Sequence, residues 1–256
     1  MKNEEHLIRV AKLFGNGAHV FVPKEWIGEQ IVLIREKKSL KEKILSVLDP
    51  YLEFIVGIYI YGSYVRNEQT KDSDIDLFVL SNKKIKIKAE GFEILCLRQE
   101  EIEKAIKLEP VLMYSILSEA KPIINSKLLD ELKIRYKPKL SDFKEFLKDC
   151  KRIITINEEF LELEKGEYIS GNAIIYSLIL RLRGIFIIKS FLRGQIYSHK
   201  FFKNWIKNKL PQIDFDNVYE AYRNSKNEQV FKQKIRINDI KLLLNYLKNE
   251  VFMLNG

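Results

Sequence analysis

The sequence predicts an α+β fold in three parts: a small N-terminal β-hairpin unit over residues 1–36, a sheet-containing core over 39–138, and a C-terminal helical bundle over 140–256. Three observations carry this reading. Apolar, β-branched and aromatic runs of strand length recur between Phe54 and Leu97, broken at Gly62-Ser63 and Ser81-Asn82. From Leu140 onward apolar residues repeat at helical spacing, with only short glycine-containing breaks. Ahead of both, two strand-like runs flank Gly15-Asn16-Gly17, a tight turn that needs positive φ.

In the N-terminal unit, Leu7 to Phe14 reads as a strand and His19 to Val22 as its return. Pro23 to Gly28 reads as a proline-started helical turn, and Gln30 to Ile34 as a third strand. Thirty-six residues cannot enclose a core, so Phe14, Phe21, Trp26, Ile31 and Leu33 need a partner surface. His19 is expected to be a packed strand residue. Ser39 opens a helix from Leu40 to Leu48, with Glu42 at the capping-box position and Asp49-Pro50 as the stop. A buried strand follows from Phe54 to Tyr61, then a second from Ile75 to Leu80. Lys83 to Lys88 alternates lysine with apolar residues as a half-exposed strand would, and Phe92 to Leu97 is a further apolar strand. Gln99 to Leu108 and Val111 to Ser118 are expected helices around Pro110, with Lys121 to Ile124 a short extended piece. The remaining expected helices are Asp142 to Glu164, Asn172 to Leu192, His199 to Leu210, Val218 to Arg223 and Ile235 to Leu254.

Composition excludes several classes. Hydrophobic content of 46% with 31% charged residues in 256 is that of a soluble globular protein with room for two or three domains. The longest apolar stretch, Ala173 to Leu192, holds Arg181, Arg183 and Lys189, which makes a buried helix and no membrane partner the expectation. The first residues lead into no apolar signal segment, and the two cysteines suggest neither disulfides nor a zinc site. Both point to the cytoplasm. The net charge of +9 favours anionic partners. It is unevenly spread: from Tyr168 to Ile213 there is no Asp or Glu, while Arg181, Arg183, Lys189, Arg193, Lys200, Lys203, Lys207 and Lys209 are all basic. Arg181, Arg183, Lys200, Lys203 and Lys207 are candidate polyanion-binding residues.

The chemistry concentrates between Phe54 and Leu80. Side chains on a strand alternate faces, so Asp74 and Asp76 share one side, roughly 7 Å apart along the backbone. Such a pair repels itself unless a cation sits between its members, and Mg²⁺ takes one or two carboxylates plus substrate phosphates. Gly62 lets the backbone approach a ligand closely, and Ser63-Tyr64-Val65-Arg66 can open a helical turn that receives phosphate oxygens. Arg66 adds a fork of donors.

Strand, Gly-Ser, ten residues and then Asp-Ile-Asp-Leu resembles the nucleotidyltransferase superfamily of the DNA polymerase β type, over roughly residues 40 to 108. The resemblance is to its small stand-alone members and the kanamycin-modifying enzyme related to them; many carry glycine where this chain has Asn67. It implies a mixed-sheet catalytic core, two Mg²⁺ ions held by Asp74 and Asp76, and a nucleoside triphosphate gripped by Gly62, Ser63 and Arg66. It also implies a third carboxylate on a later strand, for which Glu93, the lone charge in Phe92 to Leu97, is the candidate metal ligand and catalytic residue. The expected reaction is transfer of a nucleoside monophosphate to an acceptor, which would be RNA, protein or a small molecule. The helical region is similar to HEPN-like or substrate-binding bundles, and the first 36 residues resemble the AbrB-like swapped hairpin, which implies a homodimer and contact with DNA. Two other readings stay open: a nucleic-acid-binding regulator that uses the hairpin unit, and a HEPN-type ribonuclease using Arg193 and His199.

Overall fold

A computed structural model describes residues 7–34, 38–71, 73–226 and 233–255. The chain divides into two compact units, Met1–Lys43 and Ile44–Gly256.

In the first unit β1 (Lys12–Phe14) pairs with β2 (Gly17–His19) in an antiparallel hairpin of three residue pairs. Gly15 takes φ +55° at the turn, as the sequence requires. A single 3₁₀ turn, Lys24–Trp26, starts after Pro23. The third strand expected over Gln30 to Ile34 does not form, because a strand needs a ladder partner and the described residues offer this segment none. Apolar side chains stay in solvent: Phe14 is 72% exposed and Leu33 71%. Residues 1–6 and 35–36 of the expected unit lie outside the described residues.

Helix α1 (Leu40–Leu48) begins with the expected capping box: Ser39 Oγ accepts the Glu42 N–H at 3.2 Å, and the Ser39 N–H donates to Glu42 Oε2 at 2.6 Å. The sheet of the second unit is mixed, in the order β5-β4-β3-β6. Strand β3 (Ile55–Tyr61) runs antiparallel to β4 (Ile75–Ser81) and to β6 (Lys121–Ile124), while β5 (Phe92–Arg98) is parallel to β4. Alternation separates two faces. Ile58, Ile60, Leu77 and Val79 bury themselves with Ile44 and Leu48 of α1 and with Ile87. Tyr59, Tyr61, Phe78 and Leu80 belong to the other core.

That second core is continuous with the helices. Between Gly62 and β4 lies the one-turn α2 (Ser63–Arg66); after β5 come α3 (Ile102–Leu108) and α4 (Pro110–Glu119), and after β6 comes α5 (Ser126–Arg135). The sequence reading did not include α5, which Asn125 caps by accepting the Leu128 N–H at 3.1 Å. The C-terminal helices are α6 (Lys144–Leu163), α7 (Ala173–Leu192), α8 (His199–Lys209), α9 (Phe215–Lys226) and α10 (Ile237–Asn255). Helix α7 is central: Leu178, Ile179, Leu182, Ile185 and Ile188 are fully buried, and α6, α9 and α10 pack on it. Leu178 and Ile185 fall in the same apolar cluster as Phe78 and Leu80, so sheet and helices share one interior. Among the described residues no helix is long and apolar enough to cross a membrane.

Lys83 to Lys88 departs from expectation. It keeps the alternation, with Ile87 buried and Lys86 and Lys88 exposed, yet forms no strand. Instead Ile85 to Ala89 and residues 92–96 of β5 line an open groove of about 530 Å³. Alternation buries Ile87 without requiring a hydrogen-bonded neighbour, which is why the pattern alone misreads the segment.

Candidate active site

Three side chains stand in a row across the sheet. Tyr61 on β3 is paired with Asp76 on β4, and Asp76 with Glu93 on β5. In-register neighbours project to the same face, so both carboxylates and the phenol emerge on the side that carries Tyr59, Phe78 and Leu80. Asp74 precedes β4 by one residue and is exposed, as is Glu93; Asp76 is half-buried. Burial and the charges of Asp76, Glu93 and Glu119 together push the Tyr61 phenol well above its ordinary value, a mark of concentrated negative potential at this end of the sheet.

Gly62 closes the row from above. Its φ of +74° with ψ of −148° is open to glycine and strained for other residues, and a Cβ there would lie 1.9 Å from Asp76 Oδ2. The Asp76 carboxylate therefore packs directly against the turn that leads into Ser63. The one-turn α2 ends on Asn67, which adopts the left-handed conformation at φ +56°. Asparagine tolerates that conformation better than most residues, as glycine does.

Arg66 faces away from solvent into an acidic pair. Its guanidinium donates to Glu119 at 2.7 and 2.6 Å and to Glu68 at 2.9 Å. Burial works against the arginine charge, but the two carboxylates overcome it and hold the group above its ordinary value. Glu119 also accepts the Gly62 N–H at 2.9 Å and is only 8% exposed. The sequence reading missed Glu119. One signal was available: an acid closing the apolar helix α4 at its C-terminal end, where the helix dipole disfavours negative charge.

Glu68 continues the network into the helical region. It accepts the His199 N–H at 3.0 Å and the Ser198 hydroxyl at 3.3 Å, so it caps the start of α8 from a distant part of the chain. His199 Nδ1 lies 2.9 Å from both the Tyr197 and Tyr219 hydroxyls. Burial and the Arg183 charge push the imidazole down to about 4, against the pull of Glu68, so it is neutral at pH 7. Arg183 and Arg66 both lie over the Tyr197 ring, at 5.0 and 5.5 Å. Arg193 is exposed at the end of α7.

The acid-free stretch of sequence is not acid-free in space. Arg181 meets Asp149 at 2.7 Å, Lys203 and Lys207 share Asp216 at 3.2 and 2.5 Å, and Lys189 pairs with the buried Glu250. Lys200 is exposed, and Arg183 is packed among tyrosines.

Asp76 and Glu93, with Asp74 one residue ahead of the strand, are hard oxygen donors of the kind Mg²⁺ takes. Among the described residues no three His, Cys, Asp or Glu side chains converge closely enough to cage a metal ion. The donor set fits an ion whose coordination is completed by substrate phosphates and water.

Residues 42–128 match the family model described as Polymerase beta, Nucleotidyltransferase. No curated protein matches the chain in sequence. Among solved structures, spectinomycin adenyltransferase AAD(9) from Enterococcus faecialis with ATP and spectinomycin is similar at 18% identity, over 82% of this chain and 97% of that one, with a TM-score of 0.46. A toxin-antitoxin structure with AMP-PNP is similar at 19% identity over 46% of this chain and 97% of that one, with a TM-score of 0.31. The row of acids beside a glycine turn falls inside the segment that is similar to this nucleotidyltransferase family model.

Proposed function

We propose that the protein is an Mg²⁺-dependent nucleotidyltransferase that moves a nucleoside monophosphate from a nucleoside triphosphate to an acceptor hydroxyl. The observation that carries this is the packing of the Asp76 carboxylate against Gly62, with Glu93 in register beside it. Triphosphate and metal ligands are thereby adjacent. Asp74, Asp76 and Glu93 would hold the metal, which supplies charge neutralisation on the phosphates when bound. Gly62 and Ser63 would receive the triphosphate at the turn. Glu93, on the outer strand and beside the groove along Ile85 to Ala89, stands where an acceptor would approach. Residues 39–138 would form the catalytic part and 140–256 the part that chooses the acceptor, in the cytoplasm. The N-terminal unit, with its large apolar residues in solvent, would pair with the same unit of a second chain.

Incubating the full chain with each labelled nucleoside triphosphate, Mg²⁺ and total cell lysate tests the reading. Label is expected in RNA, protein or a small molecule in a metal-dependent manner; no incorporation with any of the four nucleotides would overturn it. For the pairing, light scattering is expected to show a dimer that becomes a monomer when residues 1–36 are removed.

A further inference from the structure

We infer that Glu119 is a positioning residue for nucleotide binding: its buried carboxylate holds the Gly62 N–H and the Arg66 guanidinium at once and so fixes the Gly62–Ser63 turn against Asp76. This rests on the transferase reading given above.

Three observations support it. Gly62 sits in a conformation strained for other residues, with ψ of −148°, and the single helical turn it starts directs its own hydrogen bonds to the Gly62 and Ser63 carbonyls, leaving the Gly62 N–H to Glu119. Glu119 reaches the turn from 57 residues away and touches it at both ends, at the Gly62 N–H (2.9 Å) and at Arg66 (2.7 and 2.6 Å). Arg66 in turn neutralises Glu119, whose charge reaches Tyr61 as those of Asp76 and Glu93 do. Without that arginine a further carboxylate would stand bare beside the metal-binding pair. Arg66 is therefore committed to carboxylates on two sides, Glu119 and Glu68, and supports the turn from behind. Through Glu68 the same arginine is linked to the N-terminus of α8, so the turn and the first residue of the helix that carries Lys200 are held by one set of hydrogen bonds.

The arrangement also allows an opposing account, in which Glu119 occupies the donors that a phosphate would otherwise use. The two accounts differ in sign. Under the positioning role, Glu119→Gln and Arg66→Gln each weaken nucleotide affinity about tenfold or more, in line with loss of a hydrogen bond to a charged group. The double variant is then no weaker than the weaker single one, since both act on the same turn. Tighter nucleotide binding by Glu119→Gln, or fully additive losses in the double variant, would overturn the inference. Amide hydrogen exchange across residues 62–66 supplies a readout that needs no turnover: exchange is expected to rise in Glu119→Gln at a temperature where the global fold is intact, and unchanged exchange would refute the proposal. If the wild type binds nucleotide but transfers nothing, the transferase reading fails while the affinity and exchange tests of Glu119 still stand. Should Glu119→Gln not accumulate as folded protein, Arg66→Lys keeps the charge, removes the fork, and carries the same expectations.

Discussion

On the sheet, Asp76 and Glu93 are set side by side on neighbouring strands with Asp74 close in sequence, whereas on α7 and α8 the basic residues Arg181, Lys189, Lys203 and Lys207 are met by acids from other elements. Strands lie roughly 5 Å apart, at which two unit charges repel by about 3 kcal/mol at an effective dielectric of about 20, and by less where a side chain is exposed. The two acids thus share one face of the sheet, where the proposed metal would neutralise both. The helices do the opposite, and Glu250, only 3% exposed, shows how completely one of their charges is matched from within the chain. Charge anomalies in a sequence thus divide into those the fold cancels and those it concentrates.

The comparison is most severely tested at the sheet. Asp76→Asn keeps the shape and removes the charge, so nucleotidyl transfer is expected to fall by about 10²-fold or more while the melting temperature holds or rises. Transfer from labelled nucleotide and a thermal melt of the same sample check both halves; a melt that collapses would make Asp76 a structural residue. Glu93→Gln should lose transfer comparably and still bind nucleotide.

The helical side predicts the reverse. Glu250→Ala removes the acid that faces Lys189 and leaves a cation beside the core, so stability should drop by about 3 kcal/mol in denaturant titration. Turnover per folded molecule should stay at the wild-type value.

His199 gives a smaller effect with a definite sign. Its folded value of about 4 lies below the ordinary 6.5, so the unfolded chain binds the extra proton between these values. Stability from keeping the ring neutral is full above about pH 6.5 and is lost as pH falls towards 4. The ring is partly exposed and screened by solvent, which reduces the expected change to on the order of 1–2 kcal/mol. Thermal melts from pH 7 to 4 should show this slope, and His199→Gln should flatten it.

The smallest effect separates free from paired lysines. Lys200→Glu should reduce the salt dependence of heparin binding by roughly one unit of slope, whereas Lys203→Glu, already balanced by Asp216, should reduce it by less. Equal reductions would show that Asp216 leaves the lysine available to the polyanion.

Much of the fold was legible in order along the chain. The capping box at Ser39 and Glu42 is a contact between residues three apart, and α1 spans the residues that pattern predicts. Strands β3, β4 and β5 and the Gly62-Ser63 break follow from period-two alternation and from glycine's access to positive φ. These are properties of a few neighbouring residues. Tertiary structure decided what depends on distant partners. Gln30 to Ile34 and Lys83 to Lys88 have strand-like sequences but no ladder, because hydrogen bonding between strands requires an edge that local pattern does not supply. The acid-free stretch reads as an open cationic face until Asp149, Asp216 and Glu250 arrive from other helices. Glu119 comes to Gly62 across 57 residues of chain, and what unites them is the single interior shared by sheet and helices, which exists only once the chain has folded.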